Sequence, residues 1–296
     1  MHLDMNKKPL ISVIMNCYNG ESFLKEAIES LLQQTYANWE LVFWDNASTD
    51  QSKNILLSYS DKRIKYFYAA SHTGLGTARV EALKKAQGIY ITILDADDIW
   101  LKDKLSFQVD KMLSFSSSSK EVGLIYGRCE LFFEGSIPKE TKTLPLEGEI
   151  FDQLLSGKTS IPLPTLFFPK NVYDKVGGFN ASYDYCNDLD LLLKISSKYE
   201  AFFIDEVITK YRMHNKSLTG LSNQSSGKHY IEYIRLISQY LPNPKAAKRF
   251  SDLLNRYAFF LIKKRKFTEL MAILPIVRKS ALLFYPVKVI FRRFFT

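Results

Sequence analysis

Between residues 10 and 94 the chain alternates short apolar runs with amphipathic ones, and this alternation limits the folds open to it more than any other feature. LISVIM (10–15), WELVFW (39–44), IKYFYA and IYITIL each read as a strand apolar on both faces. Between the first two, ESFLKEAIESLLQQ (21–34) puts Phe23, Leu24, Ala27, Ile28, Leu31 and Leu32 at helical spacing. STDQSKNILLSY reads as a helix with Ser48 or Thr49 as its cap, and GTARVEALKKAQ as a helix closed by Gly88. Apolar strands separated by helices imply an α/β fold, a Rossmann-like, mostly parallel sheet flanked by helices. Ligands of such sheets bind beyond the carboxyl ends of the strands. Asn16, Asp45 and the cluster Asp95, Asp97 and Asp98 stand at those ends, so three polar groups distant in sequence should meet on one rim.

The pattern loosens after Leu105. LSFSSSSKE is a serine-rich loop, residues 123–133 read as strands, and TSIPLPTLFFPK as an ordered loop around a short strand. NDLDLLLKISSKY (187–199) reads as a helix, AFFIDEVITKYRMH as two short strands, and helices are expected over about 229–240 and 244–264. Residues 1–219 should form the main domain and 220–296 a helical, basic, amphipathic extension. Of the +9 formal charge, all is accounted for from Arg256 to Thr296, where ten of the 40 basic residues meet a single acidic one, Glu269. Basicity confined to a tail argues against nucleic acid as a partner, which would want it across a folded face. Three scattered cysteines suit a reducing compartment and exclude a disulfide scaffold. MHLDMNKKPLISV has no apolar signal core, so a cytoplasmic location is expected, and no apolar run is long enough to span a bilayer.

The stretch YITILDADDIW ends a strand on Asp95, Ala96, Asp97 and Asp98. Carboxylates this close repel and raise one another's pKa. One reading is a solvated loop that caps the helix after it. The other is a site for Mg2+ or Mn2+, hard cations often held by one or two carboxylates together with substrate phosphates. No glycine-rich phosphate loop of the GxxxxGK[ST] kind is present.

ISVIMNCYNGESFLKEAIESLLQQTYANWELVFWDNASTDQS, then HTGLGTARVEALKKAQGIYITILDADDIW, VGGFNASYDYCNDLDLLLKI and YRMHNKSLT together resemble glycosyltransferase family 2, whose members have the A-type glycosyltransferase fold. The resemblance runs from about Pro9 to Thr219. It implies an inverting transferase that moves a sugar from a nucleotide-diphosphate sugar, with a UDP-sugar expected, to a hydroxyl of a glycan or lipid-linked glycan. It implies Asp95-Ala96-Asp97 as the element contacting ribose and a Mn2+ or Mg2+ ion, with Asp97 on the metal and Asp95 on ribose or a metal-bound water. Asn16, Cys17 and Tyr18 match the segment lining the base, and Asp45 and Asn46 the pair reading its edge, although many members have Asp-Asp there. Arg79 could approach the diphosphate, or could be a surface arginine. His214 and Arg212 fall near the diphosphate or metal, and a neutral His214 can ligate Mn2+. Asp188 matches the catalytic base, and Asn187 stands where members commonly carry Glu.

Asp188 has a physical case of its own, because an acceptor hydroxyl needs a positioned carboxylate to take its proton. Asp190 lies two residues on and must point elsewhere on a helix. A non-catalytic nucleotide-sugar or glycan binder and a nucleotidyltransferase are the competing functions. The second should carry a cationic, glycine-rich loop near its N-terminus, which NCYNGES is not. Trp39, Trp44 and Trp100, the only tryptophans, fit no Gln-X-X-Arg-Trp element of processive synthases, so one transfer per encounter is expected. The basic, apolar tail reads either as a helical cap on the protein or as an element resting on anionic lipid at the inner face of the cytoplasmic membrane. A lipid-linked acceptor in bacterial-type surface polysaccharide synthesis would explain the second.

Overall fold

The computed structural model describes residues 8–115, 121–133, 135–141, 143–215, 217, 227–266 and 268–271. The chain divides into two compact units, Met1–Phe151 with Thr159–His214, and Asp152–Lys158 with Asn215–Thr296.

The first unit is built on one mixed sheet in the order β3-β2-β1-β4-β8-β6-β9-β5. Its strands are β1 (Ile11–Cys17), β2 (Trp39–Asp45), β3 (Ile64–Tyr68), β4 (Tyr90–Ile93), β5 (Ile99–Trp100), β6 (Val122–Phe132), β7 (Lys139–Glu140), β8 (Phe167–Pro169) and β9 (Glu200–Arg212). β3, β2, β1 and β4 run parallel, as the alternation requires. The other half mixes senses: β8 is antiparallel to β4 and β6, β6 and β9 are parallel, and β5 and β7 pair antiparallel at β9 and β6.

Helices α1 (Leu24–Leu32), α2 (Ser52–Leu57), α3 (Leu75–Leu83) and α4 (Lys104–Leu113) follow the first strands, and α5 (Phe151–Ser156), α6 (Lys170–Lys175) and α7 (Asn187–Ser196) come later. Side chains alternate along a strand. The odd residues of β1, Ile11, Val13 and Met15, join Leu24, Ile28 and Leu31 of α1 with Phe43 and Leu105 in one core. The even residues, Ser12, Ile14 and Asn16, therefore point to the opposite face, and α3 lies against β1 and β2. The parallel register sets Cys17 beside Asp45 and leaves Asn46 just past the end of β2, where its amide donates to the Cys17 carbonyl at 2.8 Å.

Three sequence expectations need correction. Gly88 does not close α3, which ends at Leu83 with Lys84 as its C-cap. Ser48 and Thr49 do not cap α2, which starts at Ser52; the Ser48 amide binds Asp45 and the Thr49 amide binds Asn19 Oδ1, each at 2.8 Å, so both belong to the rim loop. Residues 201–212 are one strand rather than two: β9 pairs with β6 throughout, and the register skips from Ile204 to Val207, so a bulge replaces the expected turn.

In the second unit, Asn243 Oδ1 accepts from the amides of Lys245 and Ala246 and Pro244 takes the first helical position, a strong start signal for α9 (Pro244–Lys263). α9 packs on α8 (Lys228–Ser238), with Tyr257 and Leu261 among Tyr230 and Ile234. Arg249 binds the Leu154 and Leu155 carbonyls, and Lys245 pairs with Asp152. Most of the expected amphipathic tail, 272–296, lies outside the described residues. Among the described residues no helix is long and apolar enough to cross a membrane.

Candidate active site

The carboxyl ends of β1, β2 and β4 bring together most of the residues singled out in the sequence. Asn16 comes first. Both polar atoms of its side chain are buried and find no hydrogen-bond partner among the described residues, a costly state for an amide. Cys17 beside it is buried, its thiol facing Ser52 Oγ at 3.5 Å, and burial pushes the thiol up to about 11. Cys17 therefore acts as packing rather than as a nucleophile. Tyr18 is half exposed, with its ring 3.9 Å from that of His72.

Asp45 and Asn46 are held by their own chain. Asp45 accepts from the Ser48 amide at 2.8 Å and the Tyr66 hydroxyl at 2.9 Å, one bond to each oxygen. Asn46 Oδ1 accepts from the Thr73 amide and hydroxyl at 3.2 and 3.0 Å, and its Nδ2 donates to the Thr73 carbonyl at 2.8 Å. The pair expected to read a base edge also fastens the loop carrying His72. Ala47 between Asn46 and Ser48 is left-handed, at φ 64°.

Arg79 is no surface arginine. It is 4% exposed and projects from α3 under the rim. One terminal nitrogen donates to Asp95 at 3.0 and 3.4 Å, and the other donates to Asn187 Oδ1. One guanidinium thus ties the acidic turn after β4 to the first residue of α7. Asn187 is fixed from below, its Nδ2 donating to the Asp184 and Tyr183 carbonyls at 2.9 and 3.2 Å.

That joint puts Asp188 at the rim. It is half-buried and accepts from the Leu189 amide at 2.7 Å. Burial raises its pKa; the amide and Arg79 oppose this, while Asp95 adds to it. A carboxylate with a raised pKa is a stronger base once ionised. Asp190 is buried and paired with Lys194 at 2.7 Å, so the two aspartates divide as helical spacing requires.

The acidic turn is braced from β9. Asp97 Oδ2 lies 2.9 Å from His214 Nε2. Arg212 donates its backbone amide to Asp98 at 2.9 Å, its Nε to the Asp97 carbonyl at 2.9 Å and a terminal nitrogen to Glu26 at 2.8 Å. Arg212 is therefore a clamp on the turn, at 5% side-chain exposure, rather than a free cation. Burial, then the Asp95 charge, raises Asp97, and burial with the charges of Asp97 and Asp95 drives Asp98 well above the usual range. Trp100 is buried, with the Lys104 Nζ 3.9 Å from the centre of its ring.

Among the described residues no three His, Cys, Asp or Glu side chains form a ready metal cage. Asp95 turns to Arg79, which leaves Asp97 and His214 as the adjacent donor pair of the expected Asp95, Asp97 and His214 set. A carboxylate and an imidazole, set in a turn with excess negative charge, fit a hard cation that takes its other ligands from a bound diphosphate. The sequence reading missed three contributors: Asn187 as an acceptor for Arg79, His72 against Tyr18, and Glu26 behind Arg212. Nothing in local pattern marks them, since each acts through a partner at least 54 residues away.

Residues 12–119 match the family model described as glycosyl transferase family 2. The UDP-Glc:alpha-D-GlcNAc-diphosphoundecaprenol beta-1,3-glucosyltransferase WfgD of Escherichia coli is 32% identical over 260 residues, spanning 87% of this chain and 96% of that enzyme. The solved structure of S. aureus TarS in complex with UDP-GlcNAc superposes with TM-score 0.63 at 20% identity, over 84% of this chain and 73% of that one. The mannosyltransferase PcManGT from Pyrobaculum calidifontis, in complex with GDP-Man and Mn2+, gives TM-score 0.57 at 18% identity, over 93% and 85%. At such identities these two likenesses speak to the fold, the A-type glycosyltransferase fold. With a relative matched over nearly its whole length, the chain belongs to glycosyltransferase family 2.

Proposed function

We propose that the protein is an inverting, non-processive, metal-dependent glycosyltransferase that moves a hexosyl or N-acetylhexosaminyl group from a UDP-sugar to a hydroxyl of a lipid-linked glycan. The observation that carries this is the Arg79 bridge, which sets the Asp95-Ala96-Asp97 turn and the start of α7, with Asp188, on one rim. The Escherichia coli relative supports the substrate classes, since its name gives UDP-Glc as donor and a diphosphoundecaprenol-linked sugar as acceptor.

In this reading Asn16, Cys17 and Tyr18 line the base, with Asp45 and Asn46 at its edge, and the unpartnered Asn16 amide finds its partner on the nucleotide. Asp95 meets ribose or a metal-bound water. Asp97 and His214 would hold Mn2+ or Mg2+, which when bound neutralises charge on the departing diphosphate. Arg79 adds a fixed cation beside that charge. Asp188 accepts the acceptor's hydroxyl proton while that oxygen bonds to the anomeric carbon and the carbon–oxygen bond to the diphosphate breaks. One displacement inverts the centre.

A lipid-linked acceptor suits an enzyme working at the inner face of the cytoplasmic membrane, reached through the basic, apolar tail. The test is Asp188→Asn. UDP with Mn2+ should still raise the thermal midpoint by mass action, whereas release of UDP from UDP-glucose in the presence of a GlcNAc-diphosphoundecaprenol acceptor should drop by about 10²-fold or more. Transfer at the original rate would refute the base assignment, and a panel of nucleotide sugars, each with and without Mn2+, identifies the donor.

A further inference from the structure

The start of α3 is capped from far away in sequence. Gly74 is its N-cap residue and provides no side-chain cap, and its first turn has no acidic residue. The Asp184 carboxylate fills that role, accepting from the Gly76 amide at 3.0 Å across 108 residues. A carboxylate at a helix N-terminus satisfies an orphan amide and meets the positive end of the dipole. The loop lies close against both glycines. A Cβ on residue 74 would lie 2.5 and 2.7 Å from the two Asp184 oxygens, and one on residue 76 would lie 2.3 Å from the Tyr183 carbonyl and 2.8 Å from that of Asn180. Two glycines thus open α3 to the 180–187 loop at closer range than any side chain permits.

The loop is a stiff connector. Asn180 binds the Ser182 amide through its side chain and the Tyr183 amide through its carbonyl, at 2.9 and 3.1 Å. Tyr183 is fully buried. Thr77 on α3 reaches the Ala181 carbonyl at 3.4 Å. The Asp184 carbonyl then holds the Asn187 side chain, which in turn accepts from Arg79. The contacts run without a break from Gly76 through Asp184 to Asn187, the residue before Asp188.

We propose that Asp184 is a positioning residue: with Gly74 and Gly76 it seats the 180–187 loop on the first turn of α3, and so sets where the Asp188 carboxylate stands relative to Asp95 and Arg79. This rests on the reading of Asp188 as the base. In this reading Asp184 acts through the Gly76 amide and Asn187 and not on the substrate.

Three variants test it. Asp184→Ala removes the cap, and a displaced base should lower kcat by about ten- to a hundredfold, with binding of UDP and Mn2+ unchanged within about twofold. Asp184→Asn keeps an oxygen that can accept from the Gly76 amide and should recover most of the lost kcat. Gly76→Ala adds a residue that favours helices, yet it should lower kcat with Asp184 intact, because the loop must lift. Turnover is read as UDP release from UDP-glucose with the same lipid-linked acceptor, and folding from the thermal midpoint. A folded Asp184→Ala enzyme with the original kcat would sink the proposal. So would equal losses in the Ala and Asn variants that merely track the fraction of folded protein. An inactive Asp188→Asn enzyme beside a fully active Asp184→Ala one removes the positioning role alone, while a fully active Asp188→Asn enzyme removes the base reading and the positioning role with it.

Discussion

Arg79 shows how much one side chain can organise. Its planar fork meets Asp95 and Asn187 at once, a geometry lysine's single ammonium cannot reproduce. Arg79→Lys should keep the charge, lose one of the two joints, and lower kcat while UDP binding with Mn2+ falls less. Arg79→Met should also destabilise the fold by about 2 kcal/mol, the cost of buried hydrogen bonds to a charged group, measured by chemical denaturation. Asp188 carries a pH signature. Burial raises its pKa, and only the ionised form accepts a proton, so activity should fall as pH drops through a midpoint above the ordinary 3.8. The pH dependence of kcat/KM reads this directly. Ala47, left-handed at φ 64°, makes a third case: Ala47→Gly should stabilise the protein by about 1 kcal/mol without changing the rim contacts. At this scale the acidic turn, Asp45, Arg79 and Asp188 were legible in the sequence as residues. What each one holds was not, because hydrogen-bond partners come from the fold and not from neighbours in the chain.

Secondary structure was legible where hydrophobic period and position agreed. β1, β2 and β4 and helices α1, α7 and α9 lie within a few residues of their expected bounds. The β9 bulge at Asp205 and Glu206 was not legible, because two exposed acids in a strand look the same as a turn. The α2 start was missed because Ser48 and Thr49 serve rim contacts instead of a cap. At the other end of the sheet Glu40 on β2 ties several segments together: it accepts from Ser12 on β1 at 2.5 Å, from Lys65 on β3 at 2.5 Å and from the Gln87 amide at 2.6 Å. Burial alone would raise its pKa, but Lys65, Ser12 and Gln87 outweigh that and lower it below 4.5. A lowered carboxyl pKa stabilises the fold above the unfolded value and loses that contribution as pH falls through the folded one. The stability gap between wild type and Glu40→Gln in urea should therefore be widest near neutral pH and narrow below about pH 4.5. A gap independent of pH would mean that the charge on Glu40 contributes nothing.

For the molecule as a whole, the fold class was readable from the alternation of strands and helices but the order of the sheet was not, since pairing between distant strands leaves no mark on local pattern. The proposed metal dependence and membrane contact are both tested on the whole protein. Chelation with EDTA should abolish UDP release, and added Mn2+ should restore it; turnover unaffected by chelation would remove the metal from the proposed reaction. Deleting residues 264–296 should abolish flotation with anionic liposomes and leave flotation unchanged if the tail only packs on protein. The arrangement of β4 between β1 and β8 has a consequence during synthesis. β4 ends at Ile93, but the strand that covers its open edge begins at Phe167. At ribosomal speeds of about 5–20 residues per second, that edge waits roughly 4–15 s for its neighbour. A nascent chain stalled between those points carries a half-built, sticky margin, so slow codons there should cost yield, whereas a pause after residue 169 should be harmless.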